Sequence, residues 1–228
     1  MPLTLAVSIE QPPWRLSGTV YGTLLNHRSA LAALGAAAEE PPYRGAPRAP
    51  VLYLKPRNTL AGDGDAVTVP AGIAELEIGA CLALVIGRAA CRVSEARALD
   101  YVAGYLIVND VSVPHSSYYR PSVRCKARDG FCPLGPHLTA AAAVADPDAL
   151  GIRVYIDGLL CHSASTADLI RPVARLLADV TEFMTLSPGD VLAVGAAAPA
   201  PRVRAGQRVR IEIDALGSLT NAFSGERV

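Results

Sequence analysis

The chain has 228 residues, of which 51% are hydrophobic and 18% charged, proportions that indicate a globular protein with a substantial core. Its 21 basic side chains balance 21 acidic ones, so the charge gives no indication of binding to nucleic acid or to a membrane surface. No apolar run approaches the ~20 residues of a membrane-spanning helix, and the first residues lack the pattern of a secretory signal. We therefore expect a cytoplasmic protein of one domain, residues 1–228.

The cysteines agree with a reducing compartment. Their number is odd, and no two are spaced as Cys-x-x-Cys, which argues against a disulfide framework and against a zinc site. We expect them to serve as buried apolar side chains. They are Cys81, Cys91, Cys125, Cys132 and Cys161.

The first part of the chain predicts short strands separated by turns. Alternating apolar positions indicate a small N-terminal strand segment within residues 1–17, and residues 17–25 predict a second strand. Ser29 is predicted to cap a short helix. Residues 39–50 are rich in Pro, Gly and Arg without an apolar period, which is typical of a surface loop, here one that could cover a site. A strand is predicted at residues 51–54.

The remainder predicts more strands than helices. Ser94 is expected to cap one helix, residues 169–184 have the spacing of another, and residues 132–136 read as a rigid turn. Further strands are predicted at residues 75–86, 105–108, 151–156, 159–162, 191–194 and 209–213. The fold class predicted from these elements is mixed α/β and β-rich, with a few peripheral helices.

Three carboxylates near strand ends form a candidate metal site. If residues 75–86 are extended, Glu75 and Glu77 point the same way and lie ~7 Å apart. Two neighbouring carboxylates are costly to bury unless a cation or a proton intervenes. Asp110 follows the strand at residues 105–108 and supplies a third acid. Such oxygen ligands suit Mg²⁺ or Mn²⁺; the alternative is that all three are solvated acids.

Several motifs, taken in order, resemble the fumarylacetoacetate hydrolase family. They lie at residues 75–79, 104–112, 126–136, 187–190 and 216–221. The resemblance runs over about residues 18–223, the expected family core. A second set of motifs resembles one branch more closely, the isomerase/decarboxylases of homoprotocatechuate (4-hydroxyphenylacetate) degradation, and in particular their first half or first subunit. This set lies at residues 26–29, 55–59, 119–121, 126–131 and 166–172.

The resemblance implies a rolled mixed β-sheet core and a divalent metal, Mg²⁺ or Mn²⁺, held by Glu75, Glu77 and Asp110. The ligand implied is a small-molecule 2-oxo carboxylic acid whose 2-oxo acid end binds that metal. The implied activity is decarboxylation or isomerisation of an unsaturated 2-oxo (or 2-hydroxydienoic) di- or tricarboxylic acid. The implied assembly is a homodimer or a heteromer with a paralogous subunit.

One departure from the family bears on the reaction. Many members carry a His and a Glu that act as an acid/base pair, and the corresponding residues 26–30 have no Glu at the matching place. This absence favours decarboxylation, which needs no activated water, over hydrolysis of a C–C bond. Two alternatives stay open: an acylpyruvate- or fumarylacetoacetate-type hydrolase, and a non-catalytic subunit that supports a paralogous partner.

The remaining candidate residues are a proton carrier and a set of anion-binding side chains. His27 is the candidate proton carrier, with His115 as the competing one, and a purely structural histidine is the alternative for each. Lys126 is the candidate catalytic cation that holds a substrate carboxylate. The other expected substrate-binding residues are Lys55, Arg57, Arg128 and Tyr119.

Overall fold

The structure is a computed structural model, and it describes residues 18–118 and 122–226. The predicted N-terminal strand segment lies outside the described residues. The strands are β1 (Val20–Leu24), β2 (Val51–Lys55), β3 (Leu60–Ala61), β4 (Ala66–Val69), β5 (Leu76–Glu77), β6 (Ala80–Ile86), β7 (Val102–Asn109), β8 (Cys132–Ala140), β9 (Gly151–Ile156), β10 (Leu159–Ser165), β11 (Val191–Ala193), β12 (Arg202–Val203), β13 (Arg208–Ile213) and β14 (Gly217–Gly225).

The helices are short and lie between the strands. The α-helices are α1 (Arg28–Ala32), α2 (Val123–Lys126) and α3 (Val173–Phe183), and 3₁₀ helices occur at Gly35–Ala38, Arg57–Thr59, Glu95–Tyr101, Ala141–Ala143 and Thr166–Asp168. In the described parts of the chain, no helix is both long and apolar enough to cross a membrane.

The strands form two large sheets and one small one. The seven-stranded sheet has the order β2-β1-β11-β6-β7-β8-β3, the five-stranded sheet has the order β10-β9-β13-β14-β4, and β12 pairs with β5. Most neighbours are antiparallel, but β1 with β11, β3 with β8 and β4 with β14 are parallel. The predicted class, a β-rich mixed sheet with peripheral helices, is confirmed.

The centre of the seven-stranded sheet explains why the longest apolar run forms β6. All seven residues of β6 are buried, as expected for a strand covered on both faces. Leu82 and Leu84 face a core that is shared with the five-stranded sheet and α3. Cys81 and Ala83 face a second cluster whose buried members all come from the seven-stranded sheet. The sheet therefore curls onto itself, which confirms the rolled core.

One local prediction was wrong because the pairing partners are distant in the sequence. Residues 132–136 begin β8 rather than a turn, because Cys132 pairs with Leu60 of β3 and Leu134 with Val108 of β7. The helix predicted after Ser94 forms with Ser94 at its N-cap position, but it is a 3₁₀ helix that ends at Tyr101, and the Ser94 side chain makes no capping hydrogen bond.

Three further expectations need correction. Residues 75–86 are not one strand, because β5 pairs with β12 while β6 belongs to the seven-stranded sheet. The helix predicted at 169–184 begins only at Val173, after the proline that precedes it. Among the cysteines, Cys91 and Cys161 are exposed, so the expectation of burial fails for these two.

Candidate functional site

A cavity of about 260 Å³ lies where β1, β5, the end of β7 and α2 come together. This is slightly below the ~300–1,000 Å³ of drug-sized pockets, so it suits a small ligand. Apolar residues 196–200 line part of it. Its charged and polar lining residues include Thr23, Glu77, Asp110, His115, Lys126 and Arg202.

Asp110, directly after β7, is the centre of a buried charge cluster. It is 6% exposed. The Lys55 Nζ atom lies 2.6 Å from its Oδ1 atom, and the Lys126 Nζ atom lies 2.5 Å from its Oδ2 atom. The Tyr53 hydroxyl donates a hydrogen bond of 2.5 Å to the same Oδ2 atom. Both carboxylate oxygens are therefore in contact with cations or donors of this chain.

The protonation states follow from these contacts. Burial by itself raises the pKa of Asp110, but the attraction of Lys126 and Lys55 outweighs it and holds that pKa well below its usual range. Burial and the neighbouring Asp110 charge raise the pKa of Tyr53 well above its usual value. At neutral pH the carboxyl group is therefore ionised, and the phenol keeps the proton that it donates.

Lys55 was expected to bind substrate, but its ammonium group is held within the fold. It donates to the backbone carbonyls of Val111, Lys126 and Phe131 at 2.9, 2.9 and 2.8 Å. It is 3% exposed, and it is not one of the residues that line the cavity. Lys55 therefore ties β2 to the segment that follows Asp110, which is a structural task.

Lys126, in contrast, lines the cavity. It is the last residue of α2 and is 6% exposed. Its Nζ atom lies 4.8 Å from the centre of the Tyr53 ring, within cation–π range. Among the described residues, Asp110 is the one hydrogen-bond acceptor of this ammonium group. Two of its three N–H donors are therefore available to a ligand.

A sequence signal for this cluster is present but was missed. Lys55 and Lys126 are the only two lysines of the chain, and the other 19 basic residues are all arginine. Both lysines contact Asp110. An ammonium group is compact and its three donors can point in different directions, whereas a guanidinium is a rigid plane. Lysine therefore occurs at the two positions that contact Asp110, where a compact cation fits, and every other basic residue is arginine.

Glu75 and Glu77 have arginine partners. The Arg204 side chain donates two hydrogen bonds to the Glu75 Oε1 atom, at 2.8 and 2.7 Å. This contact with Arg204 is the main reason that the pKa of Glu75 is lowered. The Arg202 guanidinium lies 3.7 Å from a Glu75 oxygen and 3.6 Å from a Glu77 oxygen. Glu77 lines the cavity, whereas Glu75 does not.

The residues around Asp110 do not fit a divalent cation. Over residues 18–118 and 122–226, no group of three or more His, Cys, Asp or Glu side chains is placed to hold a metal ion. The neighbours of Asp110 on the β6 side are Gly79, whose added Cβ would lie 2.6 Å from the Asp110 carbonyl oxygen, and Cys81. Burial, followed by the Asp110 charge, raises the pKa of the Cys81 thiol, so the metal-binding thiolate is disfavoured. The expected site of Glu75, Glu77 and Asp110 is not assembled, because arginines and lysines occupy its oxygens.

His27 caps α1 instead of facing the cavity. Its Nδ1 atom accepts from the Ser29 N–H at 3.3 Å and lies 2.9 Å from the Ser29 hydroxyl, and its Nε2 atom lies 3.2 Å from the Ser165 carbonyl. Ser29 in turn accepts from the Ala198 N–H at 2.9 Å, so the cap supports the loop that lines the cavity. Both ring nitrogens of His27 have partners, which does not support its expected task as a proton carrier.

His115 has the features that His27 lacks. Its Nδ1 atom lies 2.9 Å from the Val113 carbonyl oxygen. Because a carbonyl only accepts, Nδ1 carries a proton, and in the neutral ring Nε2 then holds the lone pair. Nε2 is buried and has no hydrogen-bond partner among the described residues. His115 lines the cavity, packed edge-on against the Tyr118 ring at 5.6 Å.

A known protein family matches most of the chain. The sequence profile described as "Fumarylacetoacetate (FAA) hydrolase C-terminal" matches residues 19–224. The chain belongs to the fumarylacetoacetate hydrolase family. The resemblance read from the ordered motifs is thereby confirmed.

Relatives within the fumarylacetoacetate hydrolase family include isomerases, decarboxylases and hydrolases. The "4-hydroxyphenylacetate degradation bifunctional isomerase/decarboxylase" of Escherichia coli is 40% identical over 212 residues, which are 93% of this chain and 48% of that protein. The chain therefore spans about half the length of the curated relative. Which half of the relative it matches stays a prediction.

Two solved structures of the family have the same fold. The 5-carboxymethyl-2-hydroxymuconate delta-isomerase from Mycobacterium smegmatis superposes with a TM-score of 0.76 at 29% identity, over 92% of this chain and 80% of that one. The maleylpyruvate hydrolase from Sphingobium sp. SYK-6, solved with manganese(II) and pyruvate, has a TM-score of 0.76 at 30% identity, over 92% and 71% of the two chains.

The two arginines expected to bind substrate are not brought to the cavity. Arg57 is exposed in the 3₁₀ helix after β2. Arg128 donates to the Arg124 carbonyl at 3.1 Å and lines a different depression. Tyr119 lies outside the described residues. In this family member, Tyr118 lines the cavity.

Two further residues of this family member's cavity, Thr23 and Arg202, were not predicted. Thr23 is 3% exposed, and its hydroxyl has no partner among the described residues. Arg202 lies on β12, a two-residue strand without a local pattern. No local sequence pattern marks either residue as part of a site, because each is brought to the cavity by the pairing of its strand with residues that are distant in the sequence.

Proposed function

We propose that this chain is a fumarylacetoacetate hydrolase-family domain of the isomerase/decarboxylase type. Its ligand is an unsaturated 2-oxo (or 2-hydroxydienoic) di- or tricarboxylic acid of 4-hydroxyphenylacetate catabolism. The observation that carries the proposal is the small cavity with the buried Lys126 ammonium in its wall. The identity of 40% with the E. coli isomerase/decarboxylase supports this choice of substrate class.

The charges of the cluster suit an anionic substrate. One carboxylate, Asp110, faces two ammonium groups, of which Lys55 is fully engaged with backbone carbonyls. The cluster therefore carries one net positive charge, and Lys126 is the part of it that lines the cavity. A buried excess of positive charge is costly, so binding of a carboxylate or an enolate oxygen there is favourable.

Isomerisation needs a proton to leave one carbon and return to another along a dienolate. The neutral Nε2 atom of His115 is the group that can accept this proton and return it. Lys126 stabilises the negative oxygen of the dienolate while the proton is on His115. Decarboxylation leaves the same kind of enolate when CO₂ departs, so the same two residues serve, with His115 in its protonated form as the donor.

The divalent metal expected from the sequence is not part of this proposal, because the residues present do not fit it.

The hydrolase alternative has no support from residues 26–30, since His27 is held as a helix cap and no Glu follows at the matching place. A cytoplasmic location, and assembly as a homodimer or as a heteromer with a paralogous subunit, are proposed with the function.

A second candidate function is a non-catalytic domain that supports a paralogous active partner. An intact metal triad would argue against it, but the structure does not assemble that triad. The chain spans only 48% of the E. coli relative.

The test is turnover by the full chain alone. Isomerisation of 2-hydroxyhepta-2,4-diene-1,7-dioate and CO₂ release from 5-oxopent-3-ene-1,2,5-tricarboxylate are followed for the native protein, for His115→Asn and for the control His27→Asn. We expect turnover that falls at least ~100-fold in His115→Asn, a loss typical of removing a general base, and much less in His27→Asn. Equal activity of both variants would refute the assignment of His115. No turnover by the native chain would favour the supporting domain.

A further inference from the structure

We propose that this domain binds the carboxylate of its 2-oxo acid without a divalent metal, through the Lys126 ammonium and the Thr23 hydroxyl. The inference rests on the proposed function, which supplies the 2-oxo acid. It goes further because it assigns the anion contact to two side chains of this chain.

The first argument is that, among the described residues, no group of three or more His, Cys, Asp or Glu side chains is placed to hold a cation at this place. Positions 79 and 81, which border Asp110 on the β6 side, are glycine and cysteine. A metal ion beside Asp110 would also lie next to two ammonium groups, at 2.6 and 2.5 Å from the carboxylate oxygens. A cation that shared this one buried carboxylate with two ammonium groups would be repelled by both of them.

The second argument is that Lys126 supplies what a metal would supply to an anion, a fixed positive charge. Its position is determined by the Asp110 carboxylate and the Tyr53 ring. One of the three N–H donors of Lys126 is used by Asp110. The described residues supply no acceptor for the other two, which are therefore available to a ligand. A charge-assisted hydrogen bond from lysine to a carboxylate is stronger than a neutral one.

The third argument is independent of the charges. Thr23 is 3% exposed and lines the cavity, but its Oγ1 atom has no hydrogen-bond partner among the described residues. Buried hydroxyl groups in native proteins almost always have a partner. A ligand oxygen in the cavity would provide one. Lys126 and Thr23 thus define an anion subsite of one charge and one neutral donor.

The experiment measures metal binding and anion binding separately. The full chain is dialysed against EDTA and titrated with Mn²⁺ while the EPR signal of the free ion is followed. The same protein is titrated by calorimetry with oxalate and pyruvate, with EDTA and then with excess MgCl₂. We expect no loss of the free Mn²⁺ signal, and oxalate and pyruvate affinities that agree within ~2-fold in the two solutions, because the contacts are made by side chains.

Two variants test the residues. Lys126→Gln removes the charge and is expected to weaken oxalate binding at least ~10-fold. Since that variant leaves Asp110 with one cation fewer and can fail to fold, Thr23→Val is the second variant. It keeps the shape of the side chain and is expected to weaken binding ~3- to 10-fold, with circular dichroism unchanged. Unaltered affinity in Thr23→Val would overturn the assignment of the hydroxyl.

Failure of metal-free binding can be distinguished from failure of the proposed function. If Mn²⁺ binds at one ion per chain, or if oxalate and pyruvate bind only with Mg²⁺, this inference is overturned while the proposed function stands. If neither acid binds in either solution, both are overturned.

Discussion

Replacing Lys55 by methionine removes one buried charge and keeps the length of the side chain. The carbonyl groups of Val111 and Lys126 lose the donor that Lys55 supplies, and the Phe131 carbonyl keeps only the Val111 N–H at 3.1 Å. Asp110 loses one of its two cations. The aliphatic packing of the side chain is retained, so any loss of stability measures the contacts of the ammonium group. Lys55→Met therefore isolates the polar part of the cluster.

The expected loss follows from these contacts. Removing one partner of a buried ion pair costs ~3–5 kcal/mol, and each buried carbonyl left without a donor costs ~1–3 kcal/mol. The contributions overlap, since one ammonium group serves all four acceptors, and Lys126 still neutralises Asp110. We therefore expect the free energy of unfolding to fall by about 4 kcal/mol.

The assay is equilibrium unfolding in urea, followed by circular dichroism. With a denaturant dependence of ~2–3 kcal/mol per M, the midpoint is expected to fall by roughly 1.5 M. Arg57→Met is the matched control, because Arg57 is a basic residue two positions along the chain but is exposed. Its effect is expected to stay within ~0.5 kcal/mol. Equal midpoints for Lys55→Met and Arg57→Met would refute the view that the cluster stabilises the fold.

Three more predictions concern the same region. In Gly22→Ala the added Cβ would overlap the Tyr53 ring, so we expect a loss of ~2 kcal/mol or more, measured by urea unfolding; an unchanged midpoint would contradict the contact. His27→Ala removes a helix cap and is expected to cost ~1 kcal/mol without changing the pH profile of turnover; a shifted profile would restore His27 as the proton carrier. Because the pKa of Asp110 is depressed in the folded state, its stabilising effect is complete above the unfolded pKa of ~3.9 and is lost as pH falls below it. Acid titration by circular dichroism should show a larger loss in the native protein than in Asp110→Asn, whose remaining loss comes from other carboxyl groups with a lowered pKa, such as Glu75.

The fold was largely predictable where a local pattern reflects burial. The apolar run that became β6 and the alternation at Val209 and Ile211 of β13 each indicate a strand whose faces are covered in a regular way. Pairing on both sides is not visible in a local window. This is why residues 132–136, which contain two prolines, were read as a turn although they pair with β3 and β7.

The candidate site was predictable only in part, because its chemistry depends on partners far along the chain. Glu75 and Glu77 have the spacing of a ligand pair, but Arg202 and Arg204 occupy them from more than 120 positions away. The choice between His27 and His115 also could not be made from the sequence. It depends on which ring nitrogens have partners, and those partners include Ser165, which is distant in the sequence.

The scarcity of lysine has a practical consequence for following how this protein opens. A protease that cleaves after lysine has just two possible sites in the whole chain, and the bond after Lys55 precedes a proline. The remaining bond, between Lys126 and Ala127, follows a side chain that is buried against Asp110. Cutting there requires the charge cluster to come apart, so the rate of appearance of the two fragments reports the opening of this part of the molecule. A ligand that closes the cavity over Lys126 should slow that digestion, which makes cleavage a binding assay that needs no label.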